Sequence, residues 1–147
     1  DALRNGADII TDTNMALSGI NKKSLHALGG EAHCFMSDPD VAAEAKRRGI
    51  TRAMVSMEKA ARLSSDNLIF AIGNAPTALI QLEQLIREHQ LAPKLIIGVP
   101  VGFVNVVEAK ELILQSGVPC IVARGNKGGS NIAAAICNAL LYQLYRA

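Results

Sequence analysis

The chain has 147 residues, with 15 Lys plus Arg against 13 Asp plus Glu, a formal charge of +2 and an apolar fraction of 50%, a composition that fits one compact globular domain and excludes a disordered tail. Charged residues make up 19% and the basic ones are spread along the chain, so no Lys/Arg block offers the electrostatic footprint that a nucleic acid or an anionic membrane needs. With three Phe, two Tyr and no Trp, the core falls to Leu, Ile, Val, Ala and Met, and base-stacking platforms are scarce.

In chain order, Ala2-Leu3-Arg4-Asn5-Gly6 reads as the last turn of a helix closed by glycine, and with Asp1 rather than Met at the start an upstream segment is expected. Apolar runs of strand length follow at 8–11, 31–36, 67–72, 94–99 and 120–123, each succeeded by a turn and a helical pattern. Runs such as Leu68-Ile69-Phe70-Ala71-Ile72 and Leu95-Ile96-Ile97 are apolar on both faces, as expected where helices cover both sides of a parallel sheet. The expected fold class is α/β, a three-layer αβα arrangement with a mostly parallel sheet of about five strands.

Helix starts are legible as well. Asp38 before Pro39 predicts a side-chain cap and a helix over 39–48 that ends near Gly49. The same logic starts helices after Asn74, with Pro76 in the first turn, and at Ser130, leading into 131–145. Over 77–89, Leu79, Leu82, Leu85 and Ile86 form one apolar stripe, with Gln81, Glu83, Gln84, Arg87 and Glu88 elsewhere. No internal repeat, low-complexity segment or linker divides the chain, so residues 1–147 are read as a single domain.

Cys34, Cys120 and Cys137 are odd in number and widely spaced, without the close pairs of a zinc site or a redox dithiol. They are expected as reduced, buried or partly buried thiols. No signal peptide opens the chain and no apolar run could span a bilayer, which predicts a cytoplasmic protein with no membrane partner.

In open α/β sheets ligands bind beyond the carboxyl ends of the strands. The turns there read Thr11-Asp12-Thr13-Asn14-Met15, Ser37-Asp38-Pro39-Asp40, Gly73-Asn74-Ala75-Pro76-Thr77, Pro100-Val101-Gly102-Phe103-Val104 and Arg124-Gly125-Asn126-Lys127-Gly128-Gly129-Ser130, together one polar, glycine-bearing rim. The last turn joins two cations, glycines and a helix start, which could receive a carboxylate or phosphate; a plain tight turn with solvated Arg124 and Lys127 is the alternative. Neither a P-loop nor a Rossmann fingerprint is present, because Lys127 precedes Gly128 and no G-x-G-x-x-G follows the first strand. His26 and His89 are expected on the surface, and His33, inside the second strand, is either a satisfied core histidine or a proton-transfer group. Asp38 and Asp40 fit helix capping better than metal binding, so no metal is expected. Val104, Val106 and Val107, just past the fourth strand, are candidates for contact with substrate or partner, or for ordinary packing under the next helix.

Read together, Thr11-Asp12-Thr13-Asn14-Met15 with Ser18-Gly19-Ile20, His33-Cys34-Phe35 with Ser37-Asp38-Pro39-Asp40-Val41, Gly49-Ile50-Thr51-Arg52, Ala71-Ile72-Gly73-Asn74-Ala75-Pro76-Thr77-Ala78-Leu79, Pro100-Val101-Gly102-Phe103-Val104 with Glu108 and Lys110, and Arg124-Gly125 with Lys127-Gly128-Gly129-Ser130 resemble the precorrin-8X methylmutase family of cobalamin biosynthesis. The match runs from about Gly6 to Leu141. The resemblance implies a homodimeric isomerase with a shared active site. It would move a methyl group between adjacent carbons of a corrin precursor, giving hydrogenobyrinic acid or the cobalt-bearing counterpart, and would need no cofactor. A macrocycle with many acidic arms calls for scattered cations and N–H donors along a broad apolar cleft. On that basis the expected substrate-binding residues are Arg52, which matches the family arginine, with Thr51, Asn14, Met15, Gly19, Asn74, Gly102, Phe103, Arg124 and Lys127.

Two departures qualify the match. Family members carry an upstream histidine, in a motif resembling Ile-His-x-x-Gly-Asp, that is proposed to protonate the substrate; residues 1–147 contain no such motif, so no catalytic residue is assigned and this stretch alone is expected to be inactive or slow. Ala109 stands where many relatives have Ser. The competing expectation is a non-catalytic corrinoid-binding relative; a nucleotide-dependent enzyme ranks last because both nucleotide fingerprints fail.

Overall fold

A computed structural model describes residues 1–63 and 66–145. Five strands, β1 (Asp8–Thr11), β2 (Ala32–Cys34), β3 (Leu68–Ile72), β4 (Leu95–Gly98) and β5 (Cys120–Val122), form one sheet of order β2-β1-β3-β4-β5 in which every pairing is parallel. Among the described residues seven helices flank them: α1 (Asn14–Gly19), α2 (Lys22–Ala27), α3 (Pro39–Arg48), α4 (Arg52–Ala61), α5 (Pro76–Arg87), α6 (Val106–Leu114) and α7 (Ser130–Leu144). This is the expected three-layer architecture. The chain steps from β1 outward to β2, then returns to β3 on the other side, which puts the reversal of strand order between β1 and β3.

Alternation along the strands divides the core in two. Ile10, Leu68, Phe70, Ile72 and Ile96 face α4, α5 and α6 through Met57, Leu79, Leu82 and Ile113. Ile9, Ile69, Ala71, Ile97 and Val99 face α2 and α7 through Leu25, Ala133, Cys137 and Leu141. Burial pushes the Cys137 thiol up to about 12, so it stays protonated, and all three cysteines are free, with Cys34 and Cys120 partly exposed.

The second strand is shorter than its apolar run. β2 is an edge strand with one partner, and that partner stops at Thr11, opposite Cys34, so pairing ends there. Its edge position also corrects the expectation for His33. The imidazole is half-buried rather than in the core, with Nε2 3.2 Å from Asp8 Oδ2 and the ring stacked on Phe35.

The helices begin where the sequence predicts, but the caps differ. Asp38 makes no cap bond, because its carboxylate accepts from Lys59 Nζ at 2.6 Å and thereby ties α3 to α4. Ala75, not Asn74, is the residue before α5, and neither Asn74 nor Ser130 caps its helix; Ser130 is the first residue of α7. The Leu stripe of α5 is buried as expected and Ile86 half-buried, while Gln81, placed off the stripe, is also buried. Of the three valines, Val106 is core, and Val104 and Val107 are exposed.

Helix α5 stops at Arg87, two residues short of the expected His89, whose φ of 60° is left-handed, with Gln90 N–H donating to the Leu85 carbonyl at 2.9 Å. A side chain other than glycine is disfavoured there, so His89→Gly is expected to raise stability by about 0.5–1 kcal/mol. Thermal unfolding of the two proteins checks this, and a lower Tm for the variant would refute it.

Candidate functional site

All five strands point their carboxyl ends to one edge, and the loops leaving β1, β3, β4 and β5 are bound to one another there. The centre is Asp12, fully buried at the end of β1. Its Oδ1 accepts from Gly73 N–H at 2.9 Å, and its Oδ2 accepts from Asn74 N–H at 2.9 Å and Ala75 N–H at 2.6 Å. This carboxylate, reaching across from the neighbouring strand, does the capping that the local residues do not. Burial pushes its pKa above the ordinary carboxylate value, and the three N–H donors pull it back only in part. The donors at the strand reversal, where a doubly wound fold would seat a phosphate, are therefore occupied by the protein's own anion.

The next loop is pressed against this centre. A Cβ on Gly73 would lie 2.6 Å from Ser130 Cα, so only glycine lets β3 pass the start of α7. The Thr13 and Ser130 hydroxyls are hydrogen-bonded at 2.8 Å, and Gly129 N–H donates to the Val99 carbonyl at 2.8 Å. Gly102 N–H donates to the Asn126 carbonyl at 3.0 Å, which joins the β4 loop to the β5 loop.

On this scaffold most of the predicted residues come together along one edge. Thr51 caps α4 by accepting from Met54 N–H at 3.2 Å, and its hydroxyl is 3.0 Å from that of Thr77, so the starts of α4 and α5 meet beside the exposed Arg52. Asn14, in the first turn of α1, donates to Ser37 Oγ at 3.0 Å, and next to it Met15 is 70% exposed. Asn74 is exposed above Asp12. Beyond Gly102, Phe103 is 85% and Val104 79% exposed, and Arg124 and Lys127 stand free on the β5 loop. Gly19 is apart from the group. It lies at the far end of α1, packed against Ala134, and its carbonyl accepts from Asn138.

Among the described residues some cations of the helical surface are paired and others, such as Lys23, Lys46 and Arg62, are not, so what marks this edge is that cations without a carboxylate partner stand beside bare apolar side chains. Arg47, Arg48, Arg87 and Lys59 are held by carboxylates of their own or adjacent helices. Among the described residues, Arg52, Arg124 and Lys127 have no carboxylate within ion-pair distance. His33, by contrast, is bound to Asp8 at the start of β1, the opposite end of the strand from the rim. A concavity of about 920 Å³, lined in part by Arg87, His89, Lys94 and Pro119, also opens at that opposite edge. No group of three or more His, Cys, Asp or Glu that could hold a metal is present among the described residues, and no helix among them is long and apolar enough to cross a membrane.

The fold and the edge together define an open, doubly wound α/β protein that presents unpaired cations and bare apolar side chains in place of a phosphate loop. A family model described as precorrin-8X methylmutase matches residues 1–143. The cobalt-precorrin-8 methylmutase of Salmonella typhimurium is 50% identical over 147 residues, covering 100% of this chain and 68% of that protein. The precorrin-8X methylmutase of Pseudomonas aeruginosa is 40% identical over 141 residues, 95% of this chain and 67% of that one. A solved structure of the Thermus thermophilus precorrin-8X methylmutase superposes with a TM-score of 0.84 at 36% identity, over 96% of this chain and 68% of that one. The chain thus spans about two thirds of the length of these relatives. It belongs to the precorrin-8X methylmutase family.

Asp12 and Lys110 stand in motifs read from the sequence but carry no role there; in the structure Asp12 anchors the rim and Lys110 lies beneath the β5 loop. Both left a signal. Asp12 is an acid at the very end of an apolar strand, and Lys110 falls in the buried stripe of α6 with Val106, Ala109 and Ile113.

Proposed function

We propose that this chain is an isomerase of cobalamin biosynthesis that moves a methyl group between adjacent carbons of precorrin-8X or its cobalt-bearing counterpart, acting as a cytoplasmic homodimer. The observation that carries this reading is the pairing of unneutralised Arg52, Arg124 and Lys127 with the bare Met15, Phe103 and Val104 along one edge. A corrin precursor supplies what that edge lacks. Its acetate and propionate carboxylates are counter-ions for the cations, and its macrocycle covers the apolar side chains. Cobalt, where present, arrives inside the substrate and asks no ligand of the protein.

The reaction conserves mass, since one C–C bond breaks and another forms within the same molecule, and protonation of the macrocycle sets the methyl group moving. The described residues supply binding and orientation for that step. The rim of one chain is open, which supports a partner chain closing over the macrocycle and excluding water from it. The non-catalytic alternative is not favoured by relatives that are themselves methylmutases.

Incubation with precorrin-8X, followed by absorption spectrum and mass, tests the reading. The expected result is the product chromophore at unchanged mass, formed by residues 1–147 alone about a hundredfold to ten-thousandfold more slowly than by the longer relatives, the typical contribution of a general acid. Tight binding with no conversion, also when residues 1–147 are joined to the histidine-bearing upstream segment of a longer relative, would establish the non-catalytic alternative. Sedimentation of the same protein should give a dimer, and a monomer that still binds the corrinoid tightly would remove the shared site.

A further inference from the structure

Lys110 on α6 is 1% exposed, and the functional reading above leaves it unused. Its ammonium donates to the carbonyls of Gly125 at 2.7 Å and Lys127 at 2.9 Å. Among the described residues it has no carboxylate partner, and burial alone lowers its pKa. A buried cation without a counter-ion costs stability, and a methionine would fill the same volume without that cost. The turn above it shows what the charge accomplishes. The carbonyl between the two, that of Asn126, is drawn inward as well, by Gly102 N–H at 3.0 Å. Three successive carbonyls therefore point into the protein. In a planar trans peptide the C=O and the next N–H are antiparallel, so the N–H groups of Asn126, Lys127 and Gly128 face outward. None of the three donates to an acceptor among the described residues. Gly128 holds the turn down, because a Cβ there would overlap the Val99 carbonyl.

We propose that Lys110 is a positioning residue for substrate: by fixing two carbonyls inward, with Gly102 N–H holding the one between them, it aims three N–H groups, with the side chains of Arg124 and Lys127, at a carboxylate arm of the corrin precursor. The inference rests on the reading of this edge as the corrinoid site. It separates from a purely structural role by ligand charge, because an anionic arm responds more strongly than a neutral one to outward N–H groups and to a buried positive charge.

The test uses hydrogenobyrinic acid and its methyl ester, in which the carboxylates are neutral. Lys110→Met is expected to weaken binding of the acid by roughly tenfold to hundredfold while the ester changes by less than about twofold, and Lys110→Arg should recover most of the loss. Lys110→Gln, whose amide NH2 keeps two N–H donors without the charge, provides a second neutral variant. On the parent protein, hydrogen exchange at Asn126, Lys127 and Gly128 should slow with the acid and not with the ester. Equal losses for acid and ester, or no protection of these amides in a parent that binds the acid, would overturn the role of Lys110 alone. A parent that binds neither ligand would overturn the functional reading and this inference with it.

Discussion

Asp12→Ala is expected to lower stability by about 3–5 kcal/mol, the largest effect of any single substitution at the rim. It removes the common acceptor of Gly73, Asn74 and Ala75 N–H. Leaving a buried donor unpaired costs about 1–3 kcal/mol, and water can rescue only the donor nearest the surface, that of Asn74. Asp12→Asn keeps one acceptor oxygen and should lose about half as much. The pH dependence has a definite sign. Because the folded pKa lies above the unfolded value, the native state binds the proton more readily, so the contribution of Asp12 is fully present in acid and declines as pH rises through the folded value. The stability gap between the parent and Asp12→Ala should therefore be widest in acid and narrow as pH rises. Urea unfolding at several pH values measures both quantities, and a loss below about 1 kcal/mol would show that the loop is anchored elsewhere.

Arg52→Ala should do the reverse, sparing the fold and weakening corrinoid binding. The side chain is exposed at the start of α4 and holds no internal partner among the described residues, so stability should stay within about 0.5 kcal/mol of the parent. Loss of one charge-assisted bond to a carboxylate costs about 1.5–3 kcal/mol, roughly a tenfold to hundredfold weaker Kd. Titration with hydrogenobyrinic acid gives the affinity and thermal unfolding gives the stability. Unchanged binding would remove Arg52 from the site.

The fold was legible because each strand is a short apolar run and each helix begins at a proline or a polar turn. What stayed hidden depends on neighbours distant in sequence. The residues just before α3, α5 and α7 read as local caps, yet Asp38 is drawn to Lys59 and the start of α5 is capped by Asp12 from across the sheet. His33 reads as a core histidine or a proton-transfer group because strand order cannot be taken from one sequence, and the order puts its strand at the edge. Composition marks a lysine as a surface residue, so the burial of Lys110, quoted only within a motif, is legible from its interrupting an apolar stripe. Arg52 was legible as a candidate through the family resemblance, and Arg124 and Lys127 as the two cations of the last rim turn, which need no long-range contact to be exposed there.

A co-crystal structure of the protein with hydrogenobyrinic acid tests most directly whether this edge is the corrinoid site. The expected result is the macrocycle against Met15 and Phe103, with carboxylate arms on Arg52 and on the turn from Arg124 to Gly128. A macrocycle seated in the concavity at the opposite edge, beside Arg87 and Lys94, would contradict it.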